Sequence, residues 1–293
     1  MKAKLLYPCM DEIGEAVTWL DDIGVLLWVD INSCILHEFN PLTNCYSNHI
    51  LPTKVSTIVP TQKKNEIILA LSGRLVLYHL IKKELITITE IEPNHPNLRP
   101  NDGKASPEGR LWLGIMHQTD HQNTGSLCCI EKDLTIRKVL DQQCIPNGIA
   151  WNKAGTRMYY ADSGKGCIKE YAYDPEKGEI TFLKIAIQVP SKFGVPDGMT
   201  IDDNGFLWVA HWGGFGVYIW NPLTGKLENK VEVPVPNVAS CTFGGKEKNQ
   251  LFITTARAGL TDEEKVAYPT SGSLFVANVN TSAGINHYPF ITH

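Results

Sequence analysis

The feature that most constrains the fold of this chain is a strand-like segment that recurs six times along it. Each copy is a short run of apolar, β-branched and aromatic residues, and a polar or glycine-containing turn precedes most of them. The copies begin at intervals of 40 to 49 residues, at Leu27, Ile67, Leu111, Met158, Leu207 and Leu251. Repeats of this length without helical periodicity are typical of the blades of a β-propeller.

A second pair of short strand-like runs follows most copies, as in YIW-NPLTGK-LENKVEV. Four strands per unit and six units predict an all-β, six-bladed β-propeller with four antiparallel strands in each blade. No linker interrupts residues 1–293, so a single domain is expected, with one turn of helix capped by Thr261. Ring closure requires both chain ends in one blade, with residues 2–6 or residues 287–290 as its outer strand.

Composition and charge argue against several classes of function. A formal net charge of −4 without a basic cluster argues against a nucleic-acid partner. No apolar run is long enough to cross a bilayer, and the first residues do not resemble a secretory signal. The eight cysteines lack Cys-x-x-Cys spacing, so we expect reduced thiols and a cytoplasmic protein. Neither a Gly-x-Ser-x-Gly elbow nor a phosphate-binding glycine loop occurs.

Oxygen-bearing side chains stand 10 to 12 residues before four of the six repeated runs. They belong to Glu15, Asn101, Asn147 and Asp197, and Ser56 and Ser240 hold about the same place in the other two units. The first strand of each blade lies against the central channel, so these positions converge at one of its ends. Two carboxylates that meet there repel unless a cation lies between them. Such oxygen ligands suit Ca²⁺, Mg²⁺ or Mn²⁺, and also Zn²⁺, although Asn-Gly and Asp-Gly pairs are common in ordinary turns.

Five stretches carry a resemblance to a known family. They read IGEAVTWLDDIGVLLWVDI, NLRPNDGKASPEGRLWLGIM, IPNGIAWNKAGTRMYYADS, FGVPDGMTIDDNGFLWVAHWGG and ARAGLTDEEKVAYPTSGSLFVANV. On these residues the chain resembles the SMP-30/gluconolactonase/LRE-like family, which includes regucalcin and bacterial sugar lactonases. The resemblance implies a six-bladed propeller with one divalent ion, whose Glu, Asn and Asp ligands match Glu15, Asn147 and Asp197. Residues 50–92 carry no motif that we can assign.

The resemblance also implies substrate contacts. A family motif, Arg-x-Asn-Asp-Gly, corresponds to residues 99–103 and assigns Arg99 and Asn101 to the substrate, whereas the repeat alone grouped Asn101 with the metal. An ion pair with Asp102 is the alternative role for Arg99. His117 stands near the place where some relatives carry an acid that contacts sugar hydroxyls. The family motif Gly-Glu-Gly-Pro, which contains the glutamate ligand, reads Gly-Glu-Ala-Val here, so Ala16 follows Glu15 in place of a glycine.

Together these features predict a metal-dependent, gluconolactonase-like hydrolase that opens a sugar lactone to its aldonic acid. Asp197 is the expected catalytic residue, because it can both bind the ion and accept a proton from the attacking water. His211 and Trp212 are expected near the mouth of the pocket, either at the substrate or packed between strands.

Two alternatives stay open: a regucalcin-like calcium-binding protein that catalyses no reaction, and a propeller scaffold that binds another protein. The predicted partner is a small-molecule sugar lactone, with no nucleic acid and no membrane. A monomer or a small homo-oligomer is expected.

Overall fold

Six four-stranded antiparallel sheets make up the computed structural model, which describes residues 1–119, 123–279, 283–285 and 287–291. The sheets are the blades of a propeller, and five of them use four consecutive strands. The prediction of an all-β, six-bladed propeller is therefore confirmed.

The strands are numbered along the chain, beginning with β1 (Lys4–Tyr7). Blade 1 consists of β2 (Gly14–Leu20), β3 (Val25–Asp30), β4 (Ile35–Asn40) and β5 (Cys45–Ile50). Blade 2 consists of β6 (Val55–Pro60), β7 (Glu66–Leu71), β8 (Arg74–His79) and β9 (Glu84–Glu90). Blade 3 consists of β10 (Leu98–Ala105), β11 (Leu111–His117), β12 (Gly125–Ile130) and β13 (Ile136–Gln143).

Blade 4 consists of β14 (Pro146–Trp151), β15 (Arg157–Asp162), β16 (Cys167–Asp174) and β17 (Glu179–Gln188). Blade 5 consists of β18 (Val195–Ile201), β19 (Leu207–Trp212), β20 (Gly216–Asn221) and β21 (Lys226–Glu232). Blade 6 contains β22 (Val238–Gly244), β23 (Gln250–Thr255) and β24 (Leu274–Asn278).

Short helical elements interrupt the sheets. They are two 3-10 turns, at Ser163–Lys165 and Ser191–Phe193, and α1 (Asp262–Ala267). The predicted helical turn is confirmed, because Thr261 and Glu264 form a reciprocal capping box at the start of α1. Among the described residues no helix is long and apolar enough to cross a membrane. All eight cysteines lie in the described part of the chain, and none forms a disulfide.

The N-terminal strand closes the ring. Strand β1 pairs antiparallel with β24 as the outer strand of blade 6, with Lys4 opposite Val276 and Leu5 opposite Phe275. Of the two closures considered, the one by the N-terminus is correct. Residues 287–290 add no strand to that blade.

The described part of the C-terminal segment instead crosses one end of the channel. The N–H of Phe290 donates to the carbonyl of Pro60 (2.9 Å), and the N–H of Gly284 donates to the carbonyl of Lys248 (3.0 Å). Pro60 ends an innermost strand, whereas Glu15 and Asp197 lie near the beginnings of theirs. The segment therefore closes the end of the channel that lies away from the candidate site.

Burial follows the position of each strand within its blade. The second strands are almost completely buried because neighbouring blades cover both of their faces. This explains why the repeated runs in the sequence are continuously apolar rather than alternating. Outer strands such as β9 are largely exposed.

Tyr7 should contribute to ring closure, because its ring stacks on Tyr46 of blade 1 with centroids 4.2 Å apart. We expect Tyr7→Ala to lower the free energy of unfolding by about 1–3 kcal/mol, since it removes this contact between blades 6 and 1. Leu5→Ala is the matched control on the same strand, because Leu5 is 45% exposed, and it should change stability by less than about 0.5 kcal/mol. Equal losses in urea titrations of the two variants would contradict this account of closure.

Candidate metal centre and substrate cavity

All six innermost strands have an irregular register at the same level of the channel. The shifts lie between Glu15 and Thr18, Val55 and Thr57, Pro100 and Gly103, Asn147 and Ile149, Pro196 and Met199, and Val238 and Ser240. Such bulges redirect side chains out of the regular alternation of a strand. Ala16 adopts a φ of 52° in the first of them, a left-handed conformation that costs alanine roughly 1–2 kcal/mol relative to glycine. The backbone thus keeps the left-handed conformation at this position although alanine replaces the glycine of the family motif.

The bulges open into a cavity of about 500 Å³ at one end of the channel. Its lining brings together Glu15, Arg99, Asn101, Asn147 and Asp197, five of the six predicted site residues. Further lining residues are Asn32, Lys54, Met116, Gln118, Ser163 and Trp212. The volume lies within the range of roughly 300–1,000 Å³ that is usual for small-molecule sites.

Two buried acids face each other at the base of this cavity. Burial, followed by the negative charge of Asp102, raises the pKa of Glu15 to about 8. Burial and the charges of Glu15 and Asp102 raise the pKa of Asp197 well above its usual value. Asp197 Oδ1 is buried without a hydrogen-bond partner among the described residues. An unpaired carboxylate oxygen beside a second acid fits a divalent cation, which would offset the repulsion.

The amide of Asn147 is held in place by Ser163. Asn147 Nδ2 donates to Ser163 Oγ (3.1 Å), and Ser163 Oγ donates to the carbonyl of Pro196 (2.7 Å). Ser163 thus links the start of β14 to the start of β18, next to Asp197. In the described part of the chain no three His, Cys, Asp or Glu side chains are grouped to hold a metal. A metal ion bound by Glu15 and Asp197 would therefore need the Asn147 oxygen and water as further ligands.

Two further aspartates fix the chain just before the predicted ligands. Asp30 accepts hydrogen bonds from the N–H groups of Glu12 (2.9 Å) and Ile13 (3.1 Å). In blade 4, Asp162 accepts from the N–H groups of Cys144 (3.0 Å) and Ile145 (2.9 Å). Each aspartate ends the second strand of its blade, in the runs LWVD and YYAD. Sequence reasoning missed this role, although the shared acid at the end of both runs was a signal for it.

Arg99 and Asn101 form a connected polar wall. Arg99 Nη1 donates to the carbonyl of Pro100 (2.7 Å) and to Asn101 Oδ1 (2.9 Å), and Asn101 Nδ2 donates to the carbonyl of Pro146 (2.9 Å). Burial lowers the pKa of Arg99 to about 10, so the guanidinium stays charged at neutral pH. Among the described residues the alternative ion pair between Arg99 and Asp102 does not form.

Asp102 lies deeper in the channel than the residues that line the large cavity. It lines a cavity of about 20 Å³ together with Lys104, whose Nζ donates to the carbonyl of Met199 (2.7 Å). Burial raises the pKa of Asp102. Asp102-Gly103 repeats the pattern of Asn147-Gly148 and Asp197-Gly198, a signal in the sequence that would have found this third acid.

His117 and His211, the two histidines considered in the sequence analysis, are not among the residues that line the cavity. His117 ends β11 between Met116 and Gln118, and these two neighbours line the cavity instead, as strand alternation requires. Its position therefore does not support the expected substrate contact.

His211 is completely buried inside blade 5, so of its two expected placements, at the substrate or packed between strands, the packed one is correct. Its ring stacks on Tyr218, its Nδ1 lies 2.9 Å from the carbonyl oxygen of Phe193, and Trp220 Nε1 donates to its Nε2 (3.3 Å). Burial lowers the pKa of His211 to about 4, so it is neutral near pH 7. Trp212 lines the cavity as expected.

Fold and site together define a six-bladed propeller with an oxygen-lined, partly acidic cavity at one end of its channel. The chain belongs to the family described as the SMP-30/Gluconolactonase/LRE-like region, whose profile matches residues 13–257. This agrees with the resemblance that the sequence motifs indicate.

Relatives match nearly the whole chain. YvrE of Bacillus subtilis (strain 168), whose name assigns it provisionally as a sugar lactone lactonase, is 36% identical over 95% of this chain and 94% of its own. Regucalcin of Oryctolagus cuniculus is 30% identical over 99% of this chain and 98% of its own. The crystal structure of regucalcin from Agrobacterium tumefaciens str. C58, described as a calcium-binding protein, superposes with a TM-score of 0.93 at 26% identity and covers 98% of this chain and 97% of that one.

The acid pair makes the stability of the metal-free protein depend on pH. Because burial raises the pKa of Glu15 from 4.5 to about 8, the folded state retains a proton that the unfolded state releases between these values. The stability contributed by this proton is present below about pH 4.5 and is lost as pH rises towards 8. Chelator-stripped protein should lose up to about 1.4 kcal/mol per pH unit across this window. Glu15→Gln should flatten the profile in urea titrations, and identical profiles would contradict the assignment.

Proposed function

We propose that this protein is a divalent-metal-dependent hydrolase that opens a sugar lactone, such as gluconolactone, to its aldonic acid. The observation that carries the proposal is the unpartnered oxygen of Asp197 beside Glu15, at the base of a cavity large enough for a sugar lactone. The name of the Bacillus subtilis relative supports a lactone substrate, and the description of the Agrobacterium regucalcin supports calcium as the ion.

In this proposal Glu15, Asn147 and Asp197 hold the cation. When bound, a divalent cation supplies Lewis-acid stabilisation of the negative charge that develops on the lactone carbonyl oxygen. Asp197, which also helps to hold the cation, accepts the proton of the attacking water. The remaining lining residues then need only to bind and orient the substrate.

Arg99 and Asn101 orient the lactone. Arg99 keeps donors in addition to the Nη1 that it shares with Pro100 and Asn101, and its planar fork suits paired sugar or carboxylate oxygens. Gln118, which directly follows β11 and lines the cavity, offers an amide in place of the contact expected from His117. Trp212 supplies an apolar wall against which a sugar ring can pack.

A calcium-binding protein without enzymatic activity is the second candidate, and the description of the Agrobacterium regucalcin favours it. Three protein ligands leave coordination positions for water or substrate. Catalytic metal sites keep such open positions, whereas tight calcium-binding loops supply most ligands from the protein. The ligand count therefore supports the hydrolase.

Asp197→Asn tests the hydrolase directly. With Ca²⁺, Mg²⁺, Mn²⁺ or Zn²⁺ restored to chelator-stripped protein, the wild type should release protons from gluconolactone, and the variant should lose at least about a hundredfold in kcat. Asp203→Asn is the matched control, because Asp203 lies exposed at the far end of the same blade, and it should retain wild-type turnover. Equal turnover by Asp197→Asn and the wild type would refute the mechanism. Absence of turnover in metal-loaded wild type would favour the calcium-binding alternative.

Ser163→Ala tests how Asn147 is held. Without the Ser163 hydroxyl, the Asn147 amide loses the partner that fixes its orientation, so the dissociation constant of the metal should rise roughly 10- to 100-fold. Isothermal titration with Ca²⁺ measures this change, and the unfolding midpoint of the stripped variant verifies that it folds. An unchanged dissociation constant would mean that Ser163 does not position a metal ligand.

A further inference from the structure

The ionisable side chains that line the large cavity are two acids and two bases. The acids, Glu15 and Asp197, lie on blades 1 and 5, and the bases, Lys54 and Arg99, lie on the neighbouring blades 2 and 3. In the proposed function a divalent cation offsets the charges of both acids. The charges of Lys54 and Arg99 then remain, and the formal charge of the loaded cavity is positive.

The acid that acts on Arg99 is Glu15, whose charge the bound cation offsets in the proposed function. Within the described residues no ion pair involves Lys54 or Arg99. The acceptors of the Arg99 hydrogen bonds are neutral, namely a backbone carbonyl and the Asn101 amide. Both charges are therefore open to a ligand that carries the opposite charge.

The backbone at Lys54 is fixed rather than loose. The carbonyl of Lys54 accepts a hydrogen bond from the N–H of Ser72 (2.9 Å). Lys54 directly precedes β6, the innermost strand of blade 2, and Ser56 is the second residue of that strand. Blade 2 presents a serine where blades 1 and 5 present acids. Blade 2 therefore contributes a cation at the wall of the cavity and no carboxylate at its base.

We propose that the lactone is acidic, and that a carboxylate or phosphate group on it lies between Lys54 and Arg99 while its ring lies over Glu15, Asn147 and Asp197. This inference rests on the proposed function and deepens it. Arg99 can bind such a group through two parallel N–H donors, and Lys54 acts as a point charge beside it. Lys54 is thus a specificity-determining residue on the blade for which the sequence suggested no role.

The test compares lactones that differ in charge. Ca²⁺-loaded wild type, Lys54→Met and Lys54→Gln are assayed with neutral glucono-1,5-lactone, with 6-phosphoglucono-1,5-lactone and with glucaro-1,4-lactone, which carries a carboxylate. In both variants the ratio of kcat/KM for an acidic to the neutral lactone should fall roughly tenfold, the size of one charge-assisted hydrogen bond. The acidic lactone that shows the larger fall identifies phosphate or carboxylate as the preferred group.

Lys153→Met is the control, because Lys153 is exposed in the turn between β14 and β15, at the opposite end of the channel. It should leave the ratio at the wild-type value. Ratios that stay within twofold of wild type in both Lys54 variants would overturn the inference while leaving the hydrolase intact.

A binding measurement separates the two proposals. Calorimetry on the same Ca²⁺-loaded proteins compares sorbitol with sorbitol 6-phosphate, neither of which contains a lactone ring to open. Tighter binding of the phosphate that weakens about tenfold in Lys54→Met supports an acidic ligand, even if no lactone is turned over and the hydrolase proposal fails. Binding of the phosphate that does not depend on Lys54 would overturn the inference.

Discussion

The interaction on which the site depends is the forced proximity of two buried acids, Glu15 and Asp197, at the base of the large cavity. Like charges at short range in a medium of low dielectric constant repel strongly, and burial of either charge is itself unfavourable. The acids cannot separate, because each belongs to the innermost strand of a different blade and every blade is packed on both sides. Stability gained between blades therefore maintains an arrangement that the acids alone would not adopt, which is how functional sites commonly retain strain.

Strand bulges and hydrogen bonds then orient the side chains of the site within this ring. The bulges set the direction of each inner strand at the level of the site, and Asp30 and Asp162 hold the backbone just before Glu15 and Asn147. Ser163 joins the Asn147 amide to the strand that carries Asp197. Because each of these hydrogen bonds contributes only modestly to stability, their main effect is to fix orientation. The site is thus held rigid before any ligand binds.

The repeat made the ring, and the convergence of Glu15, Asn147 and Asp197, predictable from sequence, because equivalent positions on radial blades must face one axis. Finer placements depend on a single residue of register. The bulge in β10 places Asp102 deep in the channel and Asn101 in the cavity, and residue spacing cannot distinguish the two. His211 shows a second limit, since only the packing of Tyr218 and Trp220 around it shows that it is enclosed. The C-terminal segment shows a third, because its contacts join residues distant in sequence and leave no periodic pattern.

The two ends of the channel differ in a way that bears on function. At the far end His287 belongs to the C-terminal segment, and its Nε2 lies 2.6 Å from Thr242 Oγ1. Two spaces in the channel lined by His287, of about 20 and 30 Å³, can hold little more than single waters. At the other end the large cavity lies beside the acids. A ligand can therefore reach Asp197 from the cavity side, past the wall that carries Lys54 and Arg99. In the proposed function, charge at that wall acts on an approaching molecule before the acids do, so blades 2 and 3 would select a substrate by its charge and blades 1, 4 and 5 would carry out the chemistry.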